Sequence, residues 1–232
     1  LGLIKYDFID LETLTQMKEI CGLVKMKKDK DLDVEKIPIN DNKTMDLFQR
    51  GHTDDIFLFS SNDMKKSLQE FKPTSFEDLV ILNCLYRPGS MDDIAAVIKQ
   101  KNSTKPIEYI IPCMDSVLHN TYGIIVYQEQ IMMLSRLIAN FNKSESALLR
   151  MAIGMFKKEM LPVLRNQFIK GGMKNEYKKT ALEKLWDEIE SKGKYAFNKS
   201  HSVCYTWLAY QMAYLKAYFP KEFVQVMEKY HS

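Results

Sequence analysis

Residues 75–93 read SFEDLVILNCLYRPGSMDD. Ser75 is followed three residues later by Asp78, and Ser90 by Asp93, so both serines resemble the first residue of a capping box, with Asp in place of the usual Glu. Each pair predicts a helix start, and RPG at residues 87–89 separates the two helices. Working outward toward the C-terminus, KNSTKPIEYIIPC (101–113) reads as a loop. The helix after TYG (121–123) has Ile131, Leu134, Leu137 and Ile138 as its apolar stripe. Ser144 is expected to cap the next one. Two further helices are expected at about residues 161–170 and 176–191, and a last long one at about residues 200–219.

In the other direction, Met64, Leu68 and Phe71 mark a helix preceded by a brief strand at residues 56–59, and a segment from Lys43 stops at Gly51. The charged run KMKKDKDLDVEK (25–36) predicts an exposed connection. It interrupts a helix that Asp10 caps and that carries Leu11, Leu14, Met17, Ile20 and Val24. Residues 3–8 predict a short strand with Lys5 and Asp7 on one face and Ile4, Tyr6 and Phe8 on the other, because side chains alternate with a period of two. No internal repeat or low-complexity tract is found. The expected class is mainly α, a non-repetitive multi-helix assembly with a small β element at its N-terminus.

The 232 residues are 46% hydrophobic, ordinary for a folded globular chain. No apolar run is long enough to span a bilayer and no signal peptide is visible, so a cytoplasmic location and no membrane partner are expected. Cys21, Cys84, Cys113 and Cys204 form no CxxC pair, which predicts four reduced thiols rather than a zinc site or a disulfide framework. The chain starts at Leu1 with the apolar run LGLIKYDF, which predicts a piece of something longer. Net charge is +3, unevenly placed: residues 1–140 hold 17 Lys and Arg against 21 Asp and Glu, residues 141–232 hold 16 against 9. A basic C-terminal part suits phosphate-bearing partners, and a solvated lysine-rich surface accounts for the charge equally well.

Three constellations carry chemistry. In YAFNKSHSVCY (195–205), Asn198, Lys199, Ser200 and His201 stand at the start of an aromatic-rich helix. Unpaired N–H groups there, with the added cations, would suit a phosphate, and Tyr195 and Phe197 could stack on a base. The plainer reading is that Ser200 caps the helix while the two rings pack in the core. Lys5 with Asp7 offers a phosphate-neutralising cation beside a metal-binding carboxylate, or an ordinary surface ion pair. Arg150, Lys157 and Lys158 around Gly154 could reach a triphosphate or a nucleic-acid backbone, or belong to a solvated helix face. His52, His119 and His231 have no metal-ligand spacing, and neither GxxxxGK[ST] nor GxGxxG occurs.

The segments KYDFIDLETLT, FKPTSFEDLVILNCLYRPGSM, TYGIIVYQEQIM, LLRMAIGMFKK and YAFNKSHSVCYTWLAYQMAYLKAYFPKEF occur in this order. Together they resemble the C-family bacterial replicative DNA polymerases, the alpha subunits of DNA polymerase III. The resemblance implies that residues 1–10 end a palm domain and that residues 11–232 are part of a fingers domain. Asp7 then matches the third of three aspartates that bind two magnesium ions, the other two lying outside this chain. Lys5 matches a lysine near the incoming nucleotide's phosphates. Tyr195 and His201 match nucleotide-pocket positions, with Asn198 and Lys199 in the same motif, and Arg150 matches the first of two neighbouring arginines that contact the triphosphate.

Departures from the pattern are Met151 for the second arginine and Met155 and Phe156 for a basic pair, with Lys157 and Lys158 displaced by two positions. Ser90 stands where the family has proline, and GHTDDIFLFSS (51–61) is more acidic than its counterpart. The implied parent extends a primer 3′-hydroxyl with deoxynucleoside triphosphates. Its partners are primer–template DNA and other holoenzyme subunits, the latter through segments beyond residue 232, and a fragment with one of three metal ligands is expected to be inactive alone. A non-catalytic helical nucleic-acid-binding module is the rival reading of the basic, aromatic C-terminal part.

Overall fold

The structure, a computed structural model, describes residues 11–155, 157 and 159–231. Among them are twelve α-helices: α1 (Glu12–Lys28), α2 (Asn42–Gln49), α3 (Asn62–Phe71), α4 (Phe76–Leu85), α5 (Asp92–Lys101), α6 (Asp115–Leu118), α7 (Gln128–Ala139), α8 (Lys143–Gly154), α9 (Leu161–Lys174), α10 (Lys179–Gly193), α11 (Lys199–Tyr218) and α12 (Pro220–Met227). The only extended pairing among the described residues is a single parallel bridge between Tyr127 and Phe197. The mainly α class is therefore observed. The strand expected at residues 3–8 and the cap expected from Asp10 lie outside the described residues.

Several local expectations are corrected. Ser75 does cap α4, its Oγ accepting from the Asp78 N–H at 3.3 Å. Ser90 does not cap α5: Met91 holds that position without a side-chain bond, and the Ser90 hydroxyl turns back to donate to the carbonyls of Leu85 (3.0 Å) and Arg87 (3.2 Å). The cap of α8 is Asn142 rather than Ser144, in a reciprocal box with Glu145. Residues 56–59 form turns rather than a strand, Ile56 N–H bonding to Thr53 and Phe59 N–H to Ile56, with Leu58 at φ 66°. The charged run does not stop α1 at its start: the helix continues to Lys28, and Lys25, Lys27 and Lys28 sit in its last turn, where the dipole favours cations. Leu14 and Leu137 are exposed, so the stripes of α1 and α7 are narrower than expected. Helix α12, opened by Pro220 in its first turn, was not foreseen.

The described residues divide into two compact units, one of residues up to 74 together with those from 205 onward, the other of residues between 75 and 204. In the first, α1 packs on α12 and α2 on α3. Phe48 meets Phe59 edge-on at 5.2 Å and stacks on Tyr210 at 6.3 Å, and the Tyr210 hydroxyl accepts from the Asp41 N–H at 2.6 Å.

In the second unit α7, α8, α9 and α10 pack against one another. Buried residues of α10, Leu182, Leu185, Trp186 and Ile189, recur at spacings of one and three, which puts them on one helix face. Phe168 of α9 lies between Phe141 (6.2 Å) and Trp186 (5.6 Å). Each such fully buried apolar side chain contributes about 1.5–3 kcal/mol relative to exposure. The Trp186 N–H is satisfied by Glu190 at 3.0 Å. Helix α9 comes so near the end of α7 that a β-carbon on Gly171 would overlap the Ala139 carbonyl.

Candidate functional site

Residues 195–201, YAFNKSH, connect α10 to α11 within the second unit. Their path is set by the bridge to residues 126–128, in which Phe197 N–H donates to the Val126 carbonyl and Gln128 N–H to the Phe197 carbonyl, both at 2.9 Å. Residues 126 and 127 are in turn fixed by buried Gln130. Its Oε1 accepts from the N–H groups of Val126 and Tyr127 at 2.9 Å, and its Nε2 donates to the Val117 carbonyl (3.2 Å) and the Thr121 hydroxyl (2.7 Å). The amide's donors and acceptors are all used, so this support is rigid. Farther along, Ser202 joins the start of α11 to α4 through Asn83 (3.1 Å) and the Val80 carbonyl (3.3 Å).

Asn198, not Ser200, caps α11: its Oδ1 accepts from the His201 N–H at 2.8 Å and from the Ser200 hydroxyl at 2.7 Å. The open N–H groups expected here for a phosphate are partly taken. The Glu129 carboxylate accepts from the Lys199 N–H at 3.1 and 3.2 Å and from the Asn198 amide at 3.1 Å. A carboxylate is favoured at that end of a helix for the same electrostatic reason as a phosphate. The side chain of Lys199 is paired too, with Glu77 at 2.7 Å, and lies 4.9 Å from the centre of the Tyr127 ring. The Tyr127 hydroxyl donates to the same Glu77 oxygen at 3.0 Å, and burial first, then the Glu77 charge, pushes its pKa far above the ordinary phenol value.

The other expected residues fall as follows. Arg150 is exposed on α8 and donates to the Gln128 side chain at 3.3 Å, which brings it to the same end of α11, since Gln128 N–H binds Phe197. His201 is exposed, with its ring edge-on to Phe197 at 5.4 Å. Tyr195 is 45% exposed, its ring against Gly89. Phe197 carries the Arg87 guanidinium on its face at 4.2 Å. The structure thus gathers Arg150, Tyr195, Asn198, Lys199 and His201 around one segment. Lys157 stands apart just beyond α8, its N–H bonded to the Ala152 carbonyl and its side chain in no hydrogen bond or ion pair among the described residues. Lys5, Asp7 and Lys158 lie outside the described residues.

Sequence reading did not single out Glu77, Arg87, Gln128, Glu129 or Gln130. Only the QEQ of residues 128–130, charged and polar just after an apolar run, carried a local signal. Among the described residues no three of His, Cys, Asp or Glu converge as a metal site, so none is assigned to magnesium. The four cysteines are free thiols, and burial pushes the Cys84 thiol up to about 12. No described helix is long and apolar enough to cross a membrane.

Comparison with known proteins identifies the family. The family model described as bacterial DNA polymerase III alpha subunit finger domain matches residues 13–176. The DNA polymerase III subunit alpha of Aquifex aeolicus is 40% identical over 228 residues, 97% of this chain and 20% of that protein. Those of Halalkalibacterium halodurans and Bacillus subtilis are 42% and 39% identical over 222 and 224 residues, covering 96% and 97% of this chain and 20% of each relative. The chain therefore spans about a fifth of the length of the curated relatives it matches. Because the family model covers well over half of its 232 residues, the chain belongs to the finger-domain family of bacterial DNA polymerase III alpha subunits.

Proposed function

We propose that this chain is the nucleotide-facing part of a DNA-directed DNA polymerase, residues 11–232 supplying fingers and residues 1–10 the end of the palm. In the whole protein a primer 3′-hydroxyl is joined to the α-phosphate of a deoxynucleoside triphosphate on primer–template DNA. Arg150, Lys199 and His201 position or neutralise phosphates, Asn198 holds the start of α11, and Tyr195 packs near the base or sugar. Lys5 approaches the phosphates from the palm side, and Lys157 and Lys158 supply further contacts to DNA or phosphate. Asp7 is a ligand of magnesium, together with carboxylates outside this chain. When bound, magnesium stabilises charge on the reacting oxygens. One carboxylate does not hold two ions, so the 232-residue chain alone has no primer extension.

The observation that supports this reading best is the convergence of Arg150, Lys199, His201 and Tyr195 at one end of α11. The Lys199 N–H there is engaged by Glu129 and the His201 N–H by Asn198, so phosphate recognition falls first to side chains. The test is Asp7→Asn in the polymerase subunit that contains this chain. Primer extension falls to background while affinity for primer–template DNA stays within about twofold. Persistent magnesium-dependent extension by that variant would overturn the reading.

A further inference from the structure

We infer that the RPG turn at residues 87–89, which nothing above assigns to the nucleotide site, is a clamp that positions its two aromatic side chains, with Arg87 acting through Phe197 and Gly89 through Tyr195. The inference rests on the reading of residues 195–201 as that site.

Three observations carry it. First, the Arg87 guanidinium lies 4.2 Å from the centre of the Phe197 ring, and its Nη1 is shielded from solvent without a hydrogen-bond partner among the described residues. A buried cationic N–H left unpaired is costly, so the contact of the guanidinium with the Phe197 face is what favours an arginine there. Second, Gly89 has φ +91°, and a β-carbon there would fall inside the Tyr195 ring, so the ring occupies space only glycine leaves. Third, the turn is braced from within. Ser90 ties the carbonyls of Leu85 and Arg87 together, and the neighbouring Asp93 is ion-paired with Lys192, three residues before Tyr195.

The two rings precede Asn198 and Lys199 by one to four residues and, through Phe197, support His201 at 5.4 Å. Moving the turn therefore acts on Tyr195 and Phe197 directly and on His201 through Phe197. Arg87 and Gly89 are positioning residues: they set how a nucleotide is held, not the chemistry.

The experiment is steady-state primer extension by the polymerase subunit containing this chain, with the KM for the deoxynucleotide and kcat measured separately. Arg87→Ala and Arg87→Lys are each expected to raise KM by about tenfold, more than they lower kcat, because lysine keeps the charge and lacks the planar face. Phe197→Leu is expected to have a similar effect. The double variant Arg87→Ala with Phe197→Leu should be no worse than the more severe single change, and thermal unfolding of each variant reports whether it folds. Full recovery of KM by Arg87→Lys, simple addition in the double variant, or no change of KM in folded Arg87→Ala would each overturn the clamp. Lys199→Ala, assayed in parallel, separates the two levels. If it raises KM and the Arg87 variants do not, the clamp alone fails. If it leaves KM unchanged, the nucleotide-site reading fails and takes the clamp with it.

Discussion

At Asp78 a carboxylate with only 3% of its side chain exposed pairs with Lys101, itself 12% exposed, at 2.6 Å and also accepts from the Tyr122 hydroxyl at 2.7 Å. Removing one member of so buried a pair strands the other, at a cost of about 3–5 kcal/mol. Asp78→Ala should therefore lower the denaturation midpoint sharply, and adding Lys101→Met should restore much of the loss; denaturant titration of the three proteins checks this. Glu188 gives a residue-scale prediction in pH. Burial pushes its pKa above the ordinary carboxylate value, against a smaller opposing effect of Lys192 and Lys184. The folded state thus binds that proton more tightly than the unfolded state. Its stabilising contribution is complete below the unfolded pKa of about 4.3 and is lost as pH rises through the raised folded value. Glu188→Gln is expected to raise the melting temperature at pH 7 and to change it little at pH 3. A larger gain at the acid end would contradict the assignment.

At the scale of elements, α8 shows what local sequence encodes and what it leaves open. A helix capped by Ser144 was expected there, whereas Asn142 caps it, because Glu145 returns to the Asn142 N–H at 2.8 Å. Asn142→Ala should cost about 1 kcal/mol, whereas Ser144→Ala should cost a few tenths at most; thermal melts of both variants decide. Helices α3 and α7 were legible because their apolar residues, Met64, Leu68 and Phe71 in one and Ile131, Leu134 and Ile138 in the other, repeat at helical spacing. Residues 56–59 were misread because IFLF is apolar and β-prone, while their actual form depends on Thr53, whose hydroxyl bonds the Phe59 carbonyl at 2.5 Å, and on Leu58 at positive φ. Ser90 matched a capping pattern whose outcome was set by the Leu85 and Arg87 carbonyls of the turn before it, which accept its hydroxyl.

At the scale of the whole molecule, the residues that face the proposed nucleotide were legible as a cluster in residues 195–201, together with Arg150. Their internal partners were not. Glu77, Arg87 and Glu129 lie 69 to 122 residues from their partners in that segment, and no spacing along the chain announces that two of them neutralise Lys199 and the start of α11 while the third stacks on Phe197. This changes how the site is expected to work. A triphosphate would meet Lys199 already paired with Glu77, so its engagement requires exchange of that ion pair, whereas Arg150 is held only by the neutral Gln128 amide. The most direct test of that account is the deoxynucleotide dependence of primer extension by the polymerase subunit carrying Lys199→Ala and, separately, Arg150→Ala. Loss of a charged phosphate contact should lower kcat/KM by about 10- to 100-fold, with primer–template affinity kept within about twofold. An unchanged kcat/KM in both variants would contradict the assignment of this segment to the incoming nucleotide.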